Sequence, residues 1–168
     1  GNGGNLNFPE NPGSPLDVSI YHPKQLLLSS SNDLFISSEK GFILKLSSSG
    51  VIQKVAGLPV DLGGVYANQS NSLVMAMNNP SGMALDESKN YLYVADTGYH
   101  RVIRVDLNNQ QADVIGGTGS CNLQVSGDGF AAMNASICSP TQLYLDSDKN
   151  LEVQESGRGA IRKIQFSE

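Results

Sequence analysis

The chain has 168 residues, a formal net charge of −5 and a pI near 4.9. Such an acidic balance argues against a general nucleic-acid binder, because phosphate contacts need clustered Lys and Arg. No apolar run approaches the ~18 residues that suggest a membrane span, and 18 Gly, frequent Ser and Asn, no Trp and 39% apolar residues describe a loop-rich all-β chain of one domain.

Residues 1–15 are rich in Gly, Asn and Pro and read as a loop or linker. From there a unit recurs three times, at about 16–57, 58–117 and 118–168, with prolines at Pro23, Pro80 and Pro140. An apolar residue stands three before each proline (Ile20, Met77, Ile137), and a turn residue stands six after it (Ser29, Asp86, Asp146). A short β-rich run follows: Leu34–Ile36, Leu92–Val94 and Leu151–Val153. A Gly-bearing polar stretch leads to a second apolar run at Phe42–Leu46, Val102–Val105 and Ile161–Ile164. The first two copies add a further run that ends in glycine, Ile52–Gly57 and Ala112–Gly117. These are short strands bounded by Gly, Asn, Asp and Ser. Self-similarity at this period, with four antiparallel strands per unit, predicts blades of a β-propeller.

Pro80-Ser-Gly-Met-Ala-Leu-Asp86 followed by Tyr93-Val-Ala-Asp-Thr-Gly-Tyr-His-Arg-Val102 resembles the NHL repeat. Ser126-Gly-Asp-Gly-Phe-Ala-Ala132 is similar to a linker of secreted and bacterial members of that family. The third copy departs at Gln154-Glu155, where Ala-Asp is expected, and the first at Ser37-Ser38. The resemblance spans about residues 15–168. It implies closed propellers, commonly of six blades, of which three copies are about half. It also implies that Asp96, His100 and Arg101 are structural residues of the repeat motif, with His100 packing between blades and Asp96 and Arg101 tying one blade's turn.

Strand order from the channel outward gives the loops two sides. The long linkers 58–79 and 118–139 share one face with the turns Asp96–His100 and Ser156–Gly159, while the short turns at Asp86–Asn90, Asp146–Asn150, Ser47–Gly50 and Asn108–Gln111 lie on the other. Cys121 and Cys138 lie in one linker and read as a disulfide formed in an oxidising compartment; the alternative is a pair of buried free thiols. Asn68-Gln-Ser70 and Asn134-Ala-Ser136 are N-glycosylation sequons in the long linkers. With the cysteines they point to an extracellular or secreted protein.

Other chemistry is weakly represented. Asp146-Ser-Asp-Lys-Asn150 has the oxygen spacing of a calcium loop but aligns with the ordinary turn Asp86–Asn90, and its Asp and Asn suit a turn for local reasons. Two histidines, His22 and His100, are too few for the zinc-bearing channel of the amidating lyases related to the family. No Gly-x-Ser-x-Gly elbow is present. Arg101, Arg104, Arg158, Arg162 and Lys163 form the one basic concentration and read as a solvated outer blade face.

The third copy stops after its third strand, so an unpaired edge and open blade faces are expected. The function expected is an extracellular, non-catalytic propeller module for protein–protein interaction, adhesion or structural assembly. No cofactor or metal is expected. The partners expected are other blades, in the same chain or in neighbouring copies, and proteins, with no nucleic acid and no membrane span. The alternative is a segment of a propeller lyase or hydrolase whose active-site residues lie in blades outside this chain.

Overall fold

The computed structural model describes residues 13–58, 64, 70–124 and 127–166. Among these residues twelve strands form three antiparallel sheets. Blade 1 contains β1 (Pro23–Leu28), β2 (Leu34–Ser38), β3 (Phe42–Leu46) and β4 (Ile52–Ala56). Blade 2 contains β6 (Pro80–Asp86), β7 (Tyr91–Asp96), β8 (Arg101–Asp106) and β9 (Gln111–Gly116), and β5 (Ser70–Asn71) is added outside β9. Blade 3 contains β10 (Pro140–Leu145), β11 (Leu151–Glu155) and β12 (Ala160–Ile164). Four strands per blade therefore holds for blade 1. Blade 2 has a fifth, two-residue strand from its own entering linker, and blade 3 has three strands among the described residues. Gly13 makes a comparable bridge to Ile52 at the rim of blade 1, so the end of the expected 1–15 loop is tied to the sheet. Residues 1–12 lie outside the described residues.

Each blade begins at its proline, where a residue without an N–H is tolerated as the first of a strand. The residue before it is left-handed in all three: His22, Asn79 and Ser139 have φ of 41°, 51° and 49°. This costly conformation turns the linker sharply into the first strand. Each first strand then carries a bulge, between Pro23 and Gln25, Pro80 and Met83, and Pro140 and Gln142.

Alternation along the strands gives every blade a leading face, toward the blade before it, and a trailing face, toward the blade after it. Between blades 1 and 2, Phe35, Ile43 and Ala56 of the trailing face meet Met83, Leu92 and Val94 of the leading face, with Met75 and Met77 of the entering linker. Between blades 2 and 3, Ala84, Tyr93, Ala95 and Val102 meet Leu143, Leu151, Val153 and Ile164, with Ile137 from the linker. A third cluster, Val18, Ile36, Phe42, Leu44 and Ile52, lines the outer side of blade 1. The core therefore lies between blades, as in repeat architectures generally. Gly82 lets blades 2 and 3 approach closely: a Cβ there would lie 2.5 Å from the Thr141 carbonyl oxygen and 2.6 Å from the Gln142 Cα of β10.

Candidate functional site

Three features of the molecule could carry function: a polar tie beneath the long linkers, the braced linker itself, and a cleft on the opposite side.

The tie recurs at the end of each second strand. In blade 2, the buried Asp96 accepts from the backbone N–H of Asn78 at 2.8 Å and from Arg101 Nε at 2.8 Å. Arg101, itself buried, donates through Nη2 to the Ala76 carbonyl at 2.6 Å. Burial pushes the Asp96 carboxyl up to about 6, against the opposing pull of Arg101 and the Asn78 N–H. In blade 3, Glu155 occupies the place of Asp96 and accepts from Cys138 N–H at 2.7 Å. Ala160 stands across from it in the register, and the guanidinium comes instead from Arg162, which reaches Glu155 at 2.9 Å and the Ser136 carbonyl at 2.8 Å. Arg158 adds a contact to Glu155 at 3.3 Å and donates to the Asn122 and Leu123 carbonyls. In blade 1, Ser38 donates to the Tyr21 carbonyl at 2.5 Å. Three chemistries thus hold the same stretch of backbone, two to four residues before each proline. The basic concentration is corrected accordingly. Arg101, Arg158 and Arg162 are turned inward onto carboxylates and carbonyls, while Arg104 pairs with Asp113 at 3.0 Å and Lys163 with Asp146 at 2.9 Å.

His100 follows the 3-10 turn Thr97–Tyr99 in a left-handed conformation. Its Nδ1 accepts from the Ser139 N–H at 3.1 Å, so the neutral ring keeps its proton on Nε2 and bridges blade 2 to the linker of blade 3. Asp146 accepts from the Asn150 N–H and from Lys163, which holds its carboxyl below the ordinary value. Those bonds occupy both carboxylate oxygens of Asp146, the first of the oxygens that a calcium loop would present.

Cys121 and Cys138 are joined by a disulfide with Cα atoms 4.6 Å apart. Together with the Arg158 and Ser136 contacts to Asn122, the bridge holds the ends of the 121–138 loop together. Leu123, Phe130 and Met133 on that loop are exposed, Phe130 by 79%. Asn134 is exposed beside them, whereas Ser136 of the same sequon is buried. Asn68 lies outside the described residues.

On the short-turn side a cleft of about 510 Å³ separates blades 1 and 2, lined by Ser29–Ser31, Asp33, Lys45 and Glu87 with Phe35, Leu85 and Leu107. Glu87 of blade 2 accepts from both the N–H and the hydroxyl of Ser30 in blade 1, and Lys45 pairs with Asp33 within blade 1 at 3.2 Å. Sequence reasoning placed the informative residues on the other face and missed this cleft, because its walls come from turns of separate repeats. Among the described residues no group of three or more His, Cys, Asp or Glu is placed to hold a metal ion, and no helix is long and apolar enough to cross a membrane.

No family model matches the sequence, and no curated protein does. Solved structures do resemble it. A protein of unknown function from Bacteroides thetaiotaomicron has a TM-score of 0.69 at 18% identity over 84% of this chain and 34% of its own. An auxiliary nutrient-binding protein from the same organism has 0.66 at 15% identity, over 85% and 37%. The virginiamycin B lyase of Staphylococcus aureus has 0.51 at 13% identity, over 86% and 41%. The class defined by the fold is thus the β-propeller. This chain is a three-blade propeller segment that spans about a third to two-fifths of the structures it resembles.

Proposed function

We propose that this chain is a segment of an NHL-type propeller, organised as a unit over 16–168, that acts outside the cell as a non-catalytic protein-interaction and assembly module. The observation that carries this reading is the disulfide-braced linker, which displays Leu123, Phe130 and Met133 to solvent. Large apolar side chains on a braced loop offer a partner rigid contact area at little ordering cost. The disulfide favours an oxidising compartment, and N-linked sugar is assigned to Asn134 and Asn68. Asp96, His100 and Arg101 are assigned to structural ties: each of these side chains is bonded to backbone or to its partner within the fold.

The test is affinity capture of secreted and surface proteins by the oxidised chain and by a Leu123→Ser/Phe130→Ser variant with the same disulfide. A defined partner retained by the first and lost by the second is expected. Equal retention by both overturns the assignment of the linker. Turnover of a substrate by the isolated chain overturns the non-catalytic reading in favour of the lyase or hydrolase alternative, toward which the likeness to virginiamycin B lyase contributes fold alone.

A further inference from the structure

An asparagine becomes an acceptor of N-linked sugar only with a hydroxyl two residues further on, so a transferase must reach both side chains. In the linker before blade 3 the fold separates the two. Asn134 is exposed at the end of the 3-10 turn Ala132–Asn134, whereas Ser136 is only 4% exposed. The Ser136 hydroxyl accepts from the Asn122 N–H at 2.7 Å, donates to the Ser120 carbonyl at 3.3 Å and lies 3.9 Å from Cys138 Sγ. The Ser136 carbonyl accepts from Arg162 at 2.8 Å, and the carbonyl of Ala135 accepts from the Thr118 N–H at 3.1 Å. All of these partners lie between residues 118 and 162, within the linker and blade 3 themselves.

This lock and the disulfide are one structure. Ser120 and Asn122, which hold the hydroxyl, flank Cys121, and Cys138 is the second residue after Ser136. Closing the Cys121–Cys138 bond therefore keeps residues 120–122 laid across the hydroxyl. The obstruction does not run the other way. Asn134 stands at the surface, so a sugar on it leaves the bridge free to close. Synthesis at roughly 5–20 residues per second delivers Cys138 within about a second of Asn134, and Arg162 a few seconds later. Disulfides take seconds to hours to form. A nascent chain thus presents Asn134-Ala-Ser136 open before the bridge exists.

We propose that the two modifications of this linker have one permitted order: sugar is transferred to Asn134 before the Cys121–Cys138 bridge closes, and the bridged linker is no longer an acceptor. The inference rests on the assignment of sugar to Asn134 made above and adds its regulation. In the first step Asn134 Nδ2 displaces the carrier of a lipid-pyrophosphate-linked oligosaccharide. The bond from Nδ2 to the sugar C1 forms, the bond from C1 to the pyrophosphate oxygen breaks, and one amide proton leaves to a base of the transferase. In the second step an oxidised dithiol catalyst exchanges with the two thiols. The Sγ–Sγ bond forms, and the catalyst's own disulfide takes up the two electrons and two protons. A chain bridged first stays bare, so the oxidising power of the compartment decides whether the apolar residues beside Asn134 carry a glycan.

The test starts from bare chain made in bacteria. Three forms are incubated with a eukaryotic oligosaccharyltransferase and a lipid-linked donor: oxidised wild type, wild type reduced and alkylated, and the bridge-free Cys121→Ser/Cys138→Ala variant. Sugar at Asn134 is followed by peptide mapping. The alkylated chain is expected to be modified at least about thirtyfold faster than the oxidised one, the factor for an opening that breaks two hydrogen bonds of ordinary net strength. The bridge-free variant is expected to fall between them. In a last arm, chain glycosylated while reduced is given oxidised glutathione and is expected to close its bridge as the bare chain does. Equal rates for the oxidised and alkylated chains, a bridge-free variant as inert as the oxidised chain, or a glycosylated chain that cannot close its bridge overturns the proposal. Each of those results includes transfer to Asn134 and so leaves its assignment as an acceptor standing, whereas transfer to none of the three forms overturns that assignment as well.

Discussion

Arg101→Met probes a buried ion pair, that of Arg101 with Asp96. The substitution keeps an unbranched side chain of similar reach but removes the cation beside Asp96, with which Arg101 makes an ion pair at 2.8 Å while both side chains are almost fully excluded from water. It also leaves the Ala76 carbonyl without its donor at 2.6 Å. Breaking a buried pair by removing one partner costs about 3–5 kcal/mol, because the remaining charge keeps its desolvation penalty. Replacing both partners, as in Asp96→Asn/Arg101→Met, is expected to cost less than Arg101→Met alone. The uncompensated charge is then gone, and the amide oxygen introduced by Asp96→Asn can still accept from the Asn78 N–H. The pH dependence has a defined sign. Asp96 sits at about 6 in the folded chain against an ordinary 3.8, so the native state holds that proton more firmly than the unfolded state. Its contribution is therefore fully present below pH ~4 and is lost as pH rises through about 6, a change of about 3 kcal/mol. Without Arg101 the carboxyl is pushed higher still, and the loss caused by Arg101→Met should be smaller at pH 5 than at pH 8. Urea unfolding followed by far-ultraviolet circular dichroism, at one fixed protein concentration, measures all of these. A loss below about 1 kcal/mol at pH 8, or a double variant less stable than Arg101→Met, would refute the assignment of this pair as a stabilising tie.

Three further perturbations follow from the same geometry. Removing the disulfide as Cys121→Ser/Cys138→Ala should lower stability by about 3 kcal/mol, the chain-entropy value for a loop of this span, and make the 121–138 segment the first site of limited proteolysis; an unchanged urea midpoint and digestion pattern would contradict this. Gly82→Ala should cost about 1–3 kcal/mol, because the new methyl meets backbone of β10 rather than a side chain that can turn away, and a neutral result in thermal unfolding would mean that blades 2 and 3 can separate freely. Expression through a eukaryotic secretory route should add sugar mass at Asn134 that disappears in Asn134→Gln, and a peptide map showing bare Asn134 would remove that assignment.

The strand plan was legible because the repeat displays its first three strands three times: each proline and apolar run can be read against its counterparts, the closing glycine recurs in the first two copies, and strand alternation assigns each side chain to a face. β5 was not legible, since Ser70–Asn71 has neither alternation nor β-branched residues and pairs only because the linker passes the rim of blade 2. The tie in blade 3 was hidden by position-by-position alignment. Glu155 is one methylene longer than Asp96, and its guanidinium stands two residues further along, with Ala160 where Arg101 would be. The usable signal was an acid at the same position with Arg162 near by. The cleft between blades 1 and 2 had no sequence signature, because it depends on how far apart two turns are held.

The ties also bear on where function can reside. Charged side chains near the strand ends would ordinarily be the first candidates for chemistry, yet Asp96, Arg101, Glu155 and Arg162 all converge on main-chain groups just ahead of a proline whose preceding residue is left-handed. That backbone needs holding, since a conformation disfavoured for His22, Asn79 and Ser139 persists only where its surroundings over-determine it. Blade 1 meets the need with one hydroxyl, blade 2 with an Asp–Arg pair and blade 3 with a Glu and two arginines. Variation in the means with constancy in the target is what a structural demand produces. Much of the buried charge among the described residues is thus committed to placing the long linkers.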